Sequence, residues 1–89
     1  MKIKEGFILR KICGEFIVVG EGLAQVNFNK MLTLNASAAY LWEAVATREA
    51  FTEDDLVQLL LDQYDVDEAT ARADVKVLMQ RWLEQGVAE

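Results

Sequence analysis

The chain has 89 residues, 53% hydrophobic and 27% charged, with a formal net charge of −6. That length supports one modest core spanning residues 1–89 as a single domain, and the apolar content argues against disorder. With no histidine and one cysteine, Cys13, the sequence excludes Ser–His and Cys–His nucleophile pairs, an internal disulfide and the common zinc donor sets.

Two β-rich runs open the chain, Phe7 to Ile12 and Glu15 to Gly20, separated by Cys13-Gly14. Gly14 accepts positive φ, so the pair reads as a tight hairpin, and Glu21-Gly22 breaks the second strand. Val26 and Phe28 alternate with polar neighbours, as do Leu32 and Leu34, which is the signature of half-buried strands. Asn29-Lys30 lies between those runs as a second turn, and Met31 to Leu34 is expected to be the last strand.

Asn35 is a good N-cap for a helix over Ala36 to Ala46, with Ala39, Leu41, Trp42 and Val45 as its inner stripe. Thr52 with Asp55 is a variant capping box, followed by Leu56, Leu59, Leu60 and Tyr64 at helical spacing. Asp67 caps a third helix running to Gln85, with Gly86 just beyond its end. The apolar set of that helix is Ala71, Val75, Leu78, Met79, Trp82 and Leu83. The whole is α+β, a small three-stranded antiparallel sheet followed by three helices, compatible with a winged helix-turn-helix.

No apolar run approaches the ~20 residues that span a bilayer, and the opening Met-Lys-Ile-Lys-Glu-Gly lacks the apolar stretch of a secretory signal. The expected location is therefore the cytoplasm, with no membrane partner. A net charge of −6 opposes binding to phosphate backbones, so no nucleic-acid partner is expected either. The acidic residues Asp54, Asp55, Asp62, Asp65, Asp67 and Glu68 gather near helix starts, where capping and the helix dipole account for most of them. No calcium loop with a central glycine is present.

Several strings, in this order, are similar to the PqqD family: Glu15-Phe-Ile-Val-Val19, Val26-Asn-Phe-Asn-Lys-Met-Leu-Thr-Leu-Asn35, Ala38-Ala-Tyr-Leu-Trp42, Tyr64-Asp-Val-Asp67 with Asp74-Val75, and Leu83-Glu-Gln-Gly-Val87. The resemblance implies a peptide-recognition domain without catalytic activity or cofactor. Such a domain binds the leader of a ribosomally made precursor peptide and presents it, as a peptide chaperone, to a modifying enzyme. That enzyme is often a radical S-adenosylmethionine protein, and the pathway makes pyrroloquinoline quinone or another peptide natural product. It also implies that the leader adds as a strand between the third strand and the third helix. No enzyme is fused within these residues, and a monomer or weak homodimer is expected.

Met31, Leu32, Thr33 and Leu34 read either as an ordinary core strand or as the docking edge, with Leu32 and Leu34 facing inward. On the third helix Arg72, Val75, Lys76 and Met79 are the expected opposite wall. Arg72 and Lys76 read as solvated surface or as a basic strip for an acidic leader, while Val75 and Met79 read equally as core or groove lining. Trp42 and Trp82 are expected to anchor the core, and Cys13 to be a bystander thiol. Two other readings compete: a winged-helix DNA-binding or transcription-associated domain, and a subunit that only scaffolds an enzyme complex.

Overall fold

Strands β1 (Phe7–Ile12) and β2 (Glu15–Gly20) pair antiparallel with Ile12 opposite Glu15, so two residues make the turn. Both have positive φ, 53° at Cys13 and 81° at Gly14. Two such torsions in succession give the turn whose twist matches the flanking strands. An added Cβ on Gly14 would meet nothing within 4 Å, so the torsion and not space is what favours glycine there.

Strand β3 (Leu32–Leu34) adds antiparallel to β2, with Val18 opposite Leu32 and Phe16 opposite Leu34. The sheet order is β1-β2-β3. Leu32 and Leu34 are buried and Thr33 is exposed, as the alternation predicts. The computed structural model describes residues 1–20 and 32–89. The break at Glu21-Gly22, the Val26 and Phe28 run, the Asn29-Lys30 turn and Met31 lie outside the described residues.

Each helix begins at the cap its sequence announces. Asn35 accepts from the Ala38 N–H at 2.8 Å to start α1 (Ala36–Val45). Helix α2 (Glu53–Gln63) opens on a reciprocal capping box: the Thr52 hydroxyl accepts from the Asp55 N–H at 3.2 Å, and the Asp55 carboxylate accepts from the Thr52 N–H at 2.9 Å. Asp67 accepts from the Thr70 N–H at 2.7 Å to start α3 (Glu68–Glu84), which closes with Gly86 at φ 74°.

Ala71, Val75 and Trp82 form the buried seam of α3, with Leu78 and Met79 half-buried beside it. Leu83 was expected on that stripe and is instead 49% exposed. It follows Trp82 by roughly 100° of helical rotation, which carries it past the seam.

The core gathers where the helices meet the sheet. Trp42 and Trp82 pack edge-to-face with ring centroids 5.3 Å apart, and Phe51 meets Trp82 in the same manner at 6.2 Å. Among the described residues the buried Trp82 Nε1 has no hydrogen-bond partner, so ring shape and these aromatic contacts hold the indole.

One pairing has no local sequence signal. Ile3 bridges antiparallel to Ala88, with the Lys2 N–H donating to the Glu89 carbonyl at 2.8 Å and the Glu89 N–H returning to Lys2 at 2.9 Å. The Phe51 N–H donates to the Met1 carbonyl at 2.7 Å, and Val87 and Ala88 are buried. Met1–Lys4 is too short to show a strand period, so this contact is written only in three dimensions.

Candidate functional site

A cavity of about 670 Å³ opens where β3 ends and α1 begins. Asn35, Ser37 and Leu41 line one side, Leu60 and Tyr64 close it from the end of α2, and α3 supplies Asp74, Val75, Val77, Leu78 and Arg81. Leu41, Leu60 and Val75 are buried and make an apolar floor. Val77 stands on the wall 62% exposed, an apolar side chain left in water. Tyr64 is held edge-on by Tyr40, with ring centroids 6.1 Å apart.

The polar groups divide into committed and free. Asn35 is committed, its Oδ1 accepting from the Ala38 N–H at 2.8 Å and the Ser37 hydroxyl at 3.0 Å. Asp74 and Arg81 are exposed, and neither has an ion pair among the described residues. The arrangement is an apolar slot with one anion and one cation on a single helix face. Among the described residues no three Cys, Asp or Glu side chains cluster to hold a metal ion.

The expected wall of α3 is only partly brought to this cavity. Val75 joins its floor. Arg72 turns away, its Nη1 bonding the Glu53 carboxylate at 2.6 Å and Asp54 at 2.9 Å, while Nη2 bonds Glu68 at 3.2 Å. Glu53 first, then Asp54 and Glu68, hold the guanidinium even more firmly protonated than a free arginine. Lys76 is exposed and outside the lining, and Met79 packs half-buried on the core.

The cause is helical geometry. Arg72, Lys76 and Met79 lie on one flank of the Ala71–Val75–Trp82 seam, whereas Asp74, Leu78 and Arg81 lie on the other. Both flanks mix apolar and charged residues, so spacing alone does not choose between them. The missed signal was Val77, an apolar residue outside the expected stripe that extends the Leu78 flank into solvent.

The family model for coenzyme PQQ synthesis protein D, PqqD, matches residues 15–88. The chain belongs to the PqqD family. The match spans β2, β3 and all three helices, and so every element of this PqqD-family chain that lines the cavity. The fold is similar to that of TbiB1 solved in complex with the TbiA(beta) leader peptide, at 18% identity and a TM-score of 0.73, covering 100% of this chain and 95% of that one. It is similar also to lasso peptide synthetase B1 complexed with its leader peptide, at 17% identity and a TM-score of 0.70, covering 99% and 95%. At those identities the likeness is one of fold. No curated sequence matches the chain closely enough to count as a relative.

Proposed function

We propose that this chain binds the leader segment of a ribosomally made precursor peptide and presents it to a modifying enzyme, without performing chemistry itself. The observation that carries the reading is the apolar cavity opening at the end of β3, an edge strand of the sheet among the described residues. A peptide laid along such an edge gains main-chain hydrogen bonds that tolerate any sequence, and the adjacent cavity supplies the selection. The family membership and the leader-bound state of two proteins of the same fold support it.

The partner is a radical S-adenosylmethionine protein or another peptide-modifying enzyme, acting in the cytoplasm. Among the described residues no helix is long and apolar enough to cross a membrane. A DNA-binding reading is disfavoured by the net charge of −6 and by the three carboxylates that occupy Arg72, which leave Lys76 and Arg81 as the exposed cations of α3.

The test is backbone amide shift mapping with the leader of the precursor peptide encoded beside this chain's gene. Saturable shifts at Leu32–Leu34 and along Asp74, Val77, Leu78 and Arg81 are expected. Shifts confined to the Cys13-Gly14 turn or the Arg72 cluster, or no saturable binding at micromolar peptide, would overturn the reading.

A further inference from the structure

The three cations of α3 have different environments. Arg72 is saturated by Glu53, Asp54 and Glu68. Lys76 is exposed beyond the cavity. Arg81 is the one cation lining the cavity among the described residues, and it stands unpaired on the same helix face as the unpaired Asp74. Seven residues separate the two, or two helical turns, about 10.5 Å along the axis. Val77 and Leu78 sit between them, over the buried floor of Leu41, Leu60 and Val75.

We propose that this groove reads a segment of mixed charge: a large apolar side chain seated on Val77 and Leu78, an acidic residue at Arg81 and a basic residue at Asp74. The proposal rests on the peptide-binding reading above and adds what the peptide must carry. A segment acidic at both ends meets Asp74 and a chain of net charge −6. One basic at both ends leaves Arg81 facing a like charge. Only a segment with both signs satisfies both groups.

Spacing follows from strand geometry. An extended chain advances about 3.3 Å per residue and returns to the same face every second residue. Residues two apart reach only about 6.6 Å, while residues four apart reach about 13 Å, the nearest same-face spacing that spans the pair. The recognised pattern is therefore a charged residue, an apolar residue two positions on, and the opposite charge two positions beyond that.

Three capped heptapeptides test this at millimolar concentration by amide shift titration: acetyl-Thr-Lys-Thr-Leu-Thr-Glu-Thr-amide, its doubly acidic analogue with Glu at both charged positions, and its doubly basic analogue with Lys at both. The mixed probe can bind in either strand direction, so the outcome does not depend on orientation. In the unaltered chain it should bind about two- to fivefold more tightly than the doubly acidic probe, with the advantage shrinking as salt rises. Arg81→Glu should shift the ranking towards the doubly basic probe, and Asp74→Lys towards the doubly acidic one. Lys76→Glu, on the opposite flank, should leave the ranking unchanged. Both groove positions are exposed, and the amide spectrum of each variant reports directly that it is folded. Probes that perturb Val77 and Leu78 with a ranking indifferent to Arg81→Glu and Asp74→Lys would overturn the charge reading and leave peptide binding standing. Groove amides that move with neither the probes nor the natural leader would overturn both.

Discussion

Asp67 makes the first turn of α3 sensitive to acid. Hydrogen bonds from Thr70, the hydroxyl first and the backbone N–H second, hold its carboxyl below the ordinary value of 3.8. The folded chain therefore binds this proton more weakly than the unfolded chain does. The carboxylate's stabilisation is complete above pH 3.8 and is lost as pH falls through the lower folded value. Asp67→Asn keeps an oxygen at the cap but does not titrate, so it should flatten the acid limb of stability against pH below about pH 4. Urea unfolding midpoints across that range measure it, and an unchanged acid limb would show that the titration lies elsewhere. The three helix caps were legible in the sequence because a cap is a contact between residues three apart. So was the turn at Gly14, although the positive φ of Cys13 was not, since a cysteine carries no preference for it.

At the scale of elements, α3 divides its labour between two flanks. One is tied to α2 through Arg72, the other faces the cavity through Asp74, Leu78 and Arg81. Removing the guanidinium leaves Glu53, Asp54 and Glu68 as a cluster of like charges between the start of α2 and the first turn of α3. Arg72→Ala should therefore lower Tm while leaving leader affinity within about twofold, because the lost contacts lie off the groove. Thermal unfolding and a peptide titration on the same variant separate the two effects, and a large affinity loss would return Arg72 to the binding wall. The strands, the helices and the inward Leu32 and Leu34 were readable from period and composition. Which flank of α3 lines the cavity was not. Glu53 and Asp54 lie 19 and 18 residues from Arg72, and no local pattern announces that they will capture it.

At the scale of the molecule, a chain of 89 residues has few places in which to store stability. Much of it converges on the Trp42, Phe51 and Trp82 cluster, where α1, the segment before α2, and α3 meet. Trp82→Ala should cost about 3–5 kcal/mol, a large fraction of the 5–15 kcal/mol typical of a whole domain. Loss of amide dispersion and of cooperative thermal unfolding is the expected outcome. A variant that still melted sharply near the parent's Tm would mean that the core lies elsewhere. Both tryptophans were recognisable as anchors from size and helical position, whereas their partner Phe51 sits outside any helix and carried no periodic signal.

Residues 1–4 and 87–89 lie side by side, bridged at Ile3 and Ala88, and none of them lines the cavity. The polypeptide therefore enters and leaves this domain through a single doorway. A host protein could carry the domain spliced into one of its own loops, with only the few ångströms of a strand pair to span and no tension on either thread. Cargo attached at either end would hang from the same hinge point, so a tether of given length gives a partner the same reach from both.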